Sequence, residues 1–237
     1  MKNFVSVVVP TYREEKYIEE CLKNIKNQDY DGKFEIILVD SNSHDRTRDI
    51  AKKYVTRIIN IKERGVANAL NVGIKNAKGD IMIFVEADVR LYPNFIKEIM
   101  KKIKERGVVA VTGILIPFDG NVFHKLVYYL LNVLVIIFAV FYPLFPQSSV
   151  AYKKKYLTKA GGFDREIGIG EDLDVTRRVK KYGKCVICYV ALAKISTRRL
   201  IKGGILKQIF LNLYWFFNLF LLNKKHPAKE LRHTEEL

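Results

Sequence analysis

An α/β fold, with a doubly wound, mostly parallel sheet flanked by helices, is predicted by three observations. Apolar runs rich in Val and Ile alternate with stretches of helical periodicity through residues 4–88, the signature of βα units rather than of hairpins. The helical stretches are long enough to serve as crossover connections between parallel strands. Polar and acidic residues fall just beyond the apolar runs, where open α/β sheets collect their ligands.

The elements follow in order. Residues 4–9 read as a buried strand closed by Pro10, and over 14–27 the apolar Tyr17, Ile18, Cys21, Leu22 and Ile25 recur at helical spacing. Residues 34–39 give a second strand ending in Asp40-Ser41-Asn42-Ser43, and 45–54 a helix with Asp45 near its start. A short strand at 58–61 and a helix at 66–76 follow, then a fourth strand at 81–85 that runs straight into Glu86-Ala87-Asp88. Later, a stretch containing Gly161, Gly162, Gly168 and Gly170 leads into Glu171-Asp172-Leu173-Asp174, which opens a helix through Val175, Arg178 and Val179. Residues 186–190 read as a strand, so Cys185 and Cys188, three apart, face opposite ways and are expected as buried thiols.

Composition excludes several classes. With 237 residues, 49% of them hydrophobic, the chain is neither disordered nor collagen-like, and it suffices for one large domain or two small ones. Three cysteines cannot build a disulfide framework, which points to a reducing, cytoplasmic setting; residues 1–10 carry no signal-peptide pattern. Forty-one basic against 25 acidic residues give a net charge of +16, a field that attracts phosphorylated substrates, anionic lipid or nucleic acid. A nucleic-acid binder gives no reason for acids at three strand ends, so that class is set aside. Neither G-x-G-x-x-G nor G-x-x-x-x-G-K-[ST] occurs, which disfavours a Rossmann dehydrogenase and a P-loop NTPase.

The acids suggest the chemistry. Side chains two apart on a strand share a face, so Glu86 and Asp88 are expected to present two carboxylates together. Hard oxygen ligands of this kind suit Mg²⁺ or Mn²⁺ held jointly with substrate phosphates. The segments VVVPTYREE, ILVDSNSHDRT, GVANALNVGIKNAKGDIMIFVEADV and GGFDREIGIGEDLDVTRRVKKYG, in that order, resemble the family 2 nucleotide-sugar glycosyltransferases of GT-A fold. The resemblance runs from about residue 5 to 183, with Ser196 to Arg199 resembling a further short motif of some members.

The resemblance implies a nucleotide-diphosphate sugar donor (a UDP- or GDP-sugar), Mn²⁺ or Mg²⁺, and an inverting single displacement. Carried over, Pro10, Thr11, Tyr12 and Glu14 frame the nucleoside base with Tyr12 as the stacking surface, Asp40 bonds the base edge, and Arg64 reaches base or phosphate. Asp88 is the metal ligand, with Glu86 beside it and nearer the ribose; a Glu in the first position is a departure from the family's D-x-D. Asp172, paired with Glu171, is the general base. Gly162 brings backbone close to donor sugar or acceptor, Arg198 and Arg199 clamp the phosphates, and His124 stands as a loop histidine able to approach the metal. A non-catalytic nucleotide-sugar-binding or partner protein on the same fold is the alternative.

Two apolar stretches complete the reading. Residues 126–145 carry no charge and as a helix would reach about 30 Å. They lie between acids that must converge, so a single crossing is excluded; an interfacial or re-entrant hairpin near Pro143 is expected, with an oligomer contact as the other solution. Residues 205–222 carry Gln208 and Asn212 on a polar stripe, Tyr214 and Trp215 as interfacial aromatics and lysines on both sides, the pattern of an in-plane membrane helix, with a C-terminal span as the alternative since no catalytic motif follows. The expected organisation is a GT-A domain over 1–200, with an apolar insertion at 122–146, and a membrane-associating extension over 201–237. A peripheral or monotopic enzyme on the cytoplasmic membrane face follows, taking a lipid-linked or glycan acceptor, with homo-oligomerisation left open.

Overall fold

The computed structural model describes residues 4–139, 148–168 and 170–204. Their elements run β1 (Val5–Thr11), α1 (Ile18–Lys26), β2 (Phe34–Asp40), α2 (Thr47–Ala51), β3 (Arg57–Asn60), α3 (Val66–Asn76), β4 (Ile81–Val85), β5 (Val89–Leu91), α4 (Phe95–Ile103), β6 (Val108–Pro117), α5 (Val122–Ala139), β7 (Ser149–Lys153), α6 (Lys154–Lys159), α7 (Glu171–Lys180), β8 (Lys184–Ile195) and α8 (Arg198–Gly203).

All eight strands join one sheet in the order β3-β2-β1-β4-β7-β6-β8-β5. The β1–β2, β2–β3, β1–β4 and β6–β8 pairs are parallel, whereas β7 runs antiparallel to both β4 and β6 and β5 antiparallel to β8. Parallel pairing therefore prevails, most completely among β1 to β4, and the other end is mixed. Alternation along β1 divides the core: Val5, Val7 and Val9 pack with α1 and α4 on one face, while Val8 packs with α3 and α7 on the other. Helices on both faces make the sheet doubly wound, as expected.

Two local departures are informative. Helix α1 starts at Ile18 rather than at residue 14, because Arg13 adopts φ 55° and the backbone N–H groups of Arg13 and Glu14 donate to Ser43 Oγ and Thr47 Oγ1, both at 2.8 Å. Those residues form a loop knitted to the β2–α2 connection instead of a first helical turn. Glu86, Ala87 and Asp88 do not continue β4; they form a tight turn closed by the Val89 N–H on the Glu86 carbonyl at 3.1 Å. The turn sets the two acids against neighbouring arginines, Glu86 bonded to Arg199 and Asp88 to Arg198.

Pro10 sits in a central strand, which lacks a ladder donor at that point. The sheet tolerates it because β1 pairs with β4 only as far as Val8, while pairing with β2 continues to Thr11. Beyond Val8 the two strands part, and since the chain winds from β1 toward β2 on one side and returns to β4 on the other, this is the topological switch point.

Among the described residues no helix is long and apolar enough to cross a membrane. Part of the 126–145 stretch and all of 205–222 lie outside the described residues, so the hairpin at Pro143 and the C-terminal amphipathic helix do too. Cys188 is buried and Cys185 half-buried on β8, both free, and burial pushes the Cys185 thiol up to about 12.

Candidate active site

The crevice between β1 and β4 is walled by loops that arise at their ends. From the β1 side, Asp40 anchors the loop after β1 to that after β2: its Oδ1 accepts from Thr11 Oγ1 at 3.0 Å and Ser43 Oγ at 2.7 Å, and its Oδ2 from Ser43 N–H at 2.8 Å, with Arg48 at 3.6 Å. Asp40 is 0% exposed. A carboxylate has about four lone-pair sites, and three hydrogen bonds with the Arg48 charge alongside occupy most of them. Asp40 therefore fixes the loop geometry from behind, and a bond from it to a base edge requires one of these partners to yield. Tyr12 stands nearby with the Arg64 guanidinium 4.5 Å and the Arg13 guanidinium 5.1 Å from its ring centroid. Arg64 and Tyr12, 52 positions apart, thus meet.

The acids converge. Glu14, Glu86 and Asp88 meet around two arginines delivered by α8. Arg198 donates from Nη1 and Nη2 to Glu14 Oε2 and Oε1, each at 2.7 Å, and from Nε to Asp88 Oδ2 at 2.6 Å. Its guanidinium also covers the Tyr17 ring at 4.5 Å. Arg199, 63% exposed, donates to Glu86 Oε1 at 2.9 Å, and Ser148 Oγ donates to Glu86 Oε2 at 2.8 Å. Glu14, expected at the base, instead spends its carboxylate on Arg198, because the loop that displaces the first turn of α1 aims it across the crevice.

Burial sets the charges. It raises the Glu14 carboxyl above its ordinary value against the pull of Arg198. Burial and the Glu86 charge raise Asp88 despite both arginines. Burial also presses on Glu86, but Arg199 and the Ser148 hydrogen bond hold it below its ordinary value. Glu171, at the start of α7, is pushed up to about 8 by burial, by Asp172 and by Glu86, with Arg199 opposing. That shared field ties the Glu171-Asp172 pair to the Glu86–Arg199 end of the crevice. Asp172 is half-buried; its Oδ1 accepts the Leu173 N–H at 2.8 Å and its carbonyl accepts from Thr176 Oγ1 at 2.7 Å, which is itself bonded to Tyr152 OH.

A divalent ion can be tested against this donor set. Among the described residues no three His, Cys, Asp or Glu side chains cluster as ligands, and His124 serves as a helix-cap neighbour, its N–H donating to Asn121 Oδ1 at 3.0 Å. However, Asp88 Oδ1 is buried with no hydrogen-bond partner. Buried carboxylate oxygens are ordinarily paired. An oxygen left over in a pocket with more carboxylates than arginines fits a cation that takes its remaining ligands from a diphosphate.

Gly162 lies elsewhere. Its φ of +70° requires glycine, and it lines an open cleft of about 670 Å³ with Asn71, Arg165, Arg177, Arg178 and Lys181. That lining includes Asp174 of α7 but not Glu86, Asp88, Glu171 or Asp172.

Three contributors escaped the sequence reading. Asp119 accepts from Thr197 N–H at 2.6 Å and Thr197 Oγ1 at 2.8 Å with Oδ1, and from Ser196 Oγ at 2.6 Å with Oδ2, fixing the turn that launches α8. Its Asp-Gly step signals a turn but not a partner 77 positions away. Ser148 and Tyr128 carry no motif at all; Tyr128 packs on the core, and burial with the charges of Glu86 and Asp88 raises its hydroxyl.

Known proteins resemble this chain in sequence and in fold. Relatives include a dolichyl N-acetyl-alpha-D-glucosaminyl phosphate 3-beta-D-2,3-diacetamido-2,3-dideoxy-beta-D-glucuronosyltransferase of Methanococcus voltae, 38% identical over 50% of this chain and 41% of its own. A dolichol-phosphate mannosyltransferase of Pyrococcus furiosus is 34% identical over 45% of this chain and 32% of its own. The chain thus spans well under half the length of these relatives. Among solved structures, the mannosyltransferase PcManGT from Pyrobaculum calidifontis, in complex with GDP-Man and Mn²⁺, superposes with a TM-score of 0.70 at 27% identity over 83% of this chain and 57% of that one. TarS residues 1–349 of S. aureus share the fold at a TM-score of 0.65 and 23% identity, over 85% of this chain and 65% of that one. Residues 6–159 match the family described as glycosyl transferase family 2. With that match covering most of the chain, and with a GT-A sheet whose acids gather at its switch point, the protein belongs to glycosyl transferase family 2.

Proposed function

We propose that the protein is an inverting glycosyltransferase that moves a sugar from a UDP- or GDP-sugar to a hydroxyl of a lipid-linked or glycan acceptor. The observation that carries this reading is the meeting of Glu14, Glu86 and Asp88 with Arg198 and Arg199 at one crevice, in the electrostatic field of Glu171-Asp172.

The nucleoside base stacks on Tyr12 with Thr11 and Pro10 as its frame, and Arg64 turns from the Tyr12 face to base or phosphate. Arg198 and Arg199 bind the diphosphate, guanidinium being the cation best shaped for bidentate phosphate contact. Asp88, with Glu86 beside it, would hold Mn²⁺ or Mg²⁺, which when bound neutralises charge developing on the leaving diphosphate. Asp172 accepts the proton of the acceptor hydroxyl as its oxygen bonds to the anomeric carbon and the bond to the diphosphate breaks, so the configuration inverts. A positioned base typically contributes ~10²–10⁴-fold in rate. Glu171, protonated near neutrality, adds no second charge beside it.

Membrane attachment from the cytoplasmic side supports the lipid-linked acceptor. Val122, Phe123, Leu126, Tyr129, Leu130 and Val133 expose an apolar stripe along α5, and two relatives are named for dolichyl-phosphate substrates. The test is Asp172→Asn: the variant should keep its thermal shift with the nucleotide sugar that stabilises the unaltered chain while transfer is lost. Undiminished transfer would remove Asp172 from the base role.

A further inference from the structure

Arg198 straddles the crevice. It joins the loop after β1 to the turn after β4 through Glu14 and Asp88, three charge-assisted hydrogen bonds of 2.6–2.7 Å. Its own position is fixed from outside the site: Asp119 holds the Ser196-Thr197 turn by three hydrogen bonds, and Ser196 Oγ accepts the Arg198 N–H at 3.2 Å. The guanidinium is thus braced against Asp88, the carboxylate a divalent ion would use.

These two cations compete for one side chain. With Oδ2 bonded to Nε of Arg198, Asp88 retains only the buried Oδ1 for another partner. A divalent ion on Oδ1 would lie within a few ångström of the guanidinium, and in a buried pocket like charges that close repel strongly. Neutralising Asp88 with Arg198 in place is therefore incompatible with strong metal binding at the same carboxylate. An arriving diphosphate changes the balance, since it offers the guanidinium a doubly charged bidentate partner and offers the ion further oxygen ligands.

We infer that Arg198 and the divalent ion are alternative partners of Asp88, so that α8 is a latch, braced by Asp119 and Glu14, which keeps metal from binding until nucleotide diphosphate draws Arg198 away. The inference rests on the donor-site reading above and adds an order of events to it. Metal and nucleotide then bind with positive coupling, and by linkage each strengthens the other by the same factor, ~5–150-fold for couplings of ordinary size.

Mn²⁺ titration of the full chain, followed by the electron paramagnetic resonance of free Mn²⁺, tests it without any turnover. In the unaltered chain, UDP or GDP should tighten Mn²⁺ binding at least ~5-fold. Arg198→Gln should bind Mn²⁺ several-fold more tightly than the unaltered chain when nucleotide is absent, and should gain less from adding nucleotide. Asp119→Ala, which loosens the brace but touches neither carboxylate, should shift the nucleotide-free affinity the same way, and decides alone if Arg198→Gln does not fold. Equal or weaker nucleotide-free Mn²⁺ binding in these variants overturns the latch, as does Mn²⁺ that binds none of the chains even with nucleotide. Calorimetric binding of UDP or GDP without metal reports separately on the donor site, so a failed latch and a failed donor reading are distinguishable.

Discussion

Glu171 sits beside Asp172 at the start of α7, and burial together with the Asp172 charge pushes its carboxyl up to about 8. The unfolded chain returns Glu171 to its ordinary value near 4.5. Between those pH values the folded chain holds more protons than the unfolded one, so this group makes stability fall as pH rises through that window, by up to ~1.4 kcal/mol per unit. Above about 8 the charged form is buried and the full penalty applies. Glu171→Gln should therefore be more stable than the unaltered chain at pH 8.5, with a gap that closes toward pH 5. Urea unfolding at pH 5, 6.5 and 8.5 measures it; a gap that does not change with pH refutes the protonated Glu171.

Gly162 supplies a second, purely structural prediction. A Cβ at this position would approach Asn71 Oδ1 to 2.5 Å, and Asn71 holds Phe163 by two hydrogen bonds of 2.7 and 2.9 Å. Gly107, with φ +80° and nothing within 4 Å of its Cβ position, is the matched control. Gly107→Ala should cost ~1–2 kcal/mol for the left-handed backbone alone. Gly162→Ala should cost ~1–3 kcal/mol beyond that, the penalty for disturbing the Asn71 bonds. Equal losses of stability in the two variants would remove Asn71 from the explanation.

Much of this architecture was legible because its first half repeats strand and helix with uninterrupted periodicity. Residues 66–76 and 81–85 fall where the pattern puts them, whereas β1 is not closed by Pro10 but runs on to Thr11, paired with β2 alone beyond Val8. Periodicity failed where side chains from a neighbouring loop claimed the backbone: Ser43 and Thr47 bond the Arg13 and Glu14 N–H groups, and the helix expected from residue 14 begins at Ile18. Strand alternation does not govern Glu86 and Asp88, since they lie in a turn, Glu86 bonded to Arg199 and Asp88 to Arg198. Residues 95–117 and 149–153 passed unread, although β6 and β7 carry the sheet from the donor half to β8. The resemblance of Ser196 to Arg199 to a family motif makes Arg198 a candidate phosphate clamp. Nothing local to residue 198 announces Glu14, 184 positions away, and this long-range ion pair is the feature that only the folded chain reveals.

Nucleotide affinity should depend on the Tyr12 ring. Stacking of a base on an aromatic face contributes ~1–3 kcal/mol, so Tyr12→Leu, which keeps an apolar side chain but removes the ring, should weaken UDP or GDP binding by roughly 5- to 150-fold. Loss of the ring also frees Arg64 and Arg13 from their cation–π contacts. Isothermal calorimetry at fixed salt reads the change, and unaltered affinity would place the base somewhere other than Tyr12.

The α5 stripe gives the last prediction. Val122, Phe123, Leu126, Tyr129, Leu130 and Val133 recur at spacings of three and four, each at least 48% exposed, while Asn132 on another side of the helix donates to the Leu115 carbonyl at 2.6 Å. One face thus grips the sheet and another presents apolar surface outward. An apolar face flanked by basic charge binds a bilayer through two separable contributions. The electrostatic part is screened by salt, while burial of each Leu or Phe contributes ~1.5–3 kcal/mol and is not. The full chain should therefore sediment with vesicles containing phosphatidylglycerol at 0.1 M NaCl and retain part of that binding at 1 M. Leu126→Glu combined with Leu130→Glu should lose most of the salt-resistant part, whereas Lys125→Ala should lower only the binding that salt removes. If the double variant matches the unaltered chain at both salt concentrations, α5 does not meet the membrane, and a lipid-borne acceptor must reach Asp172 by another face.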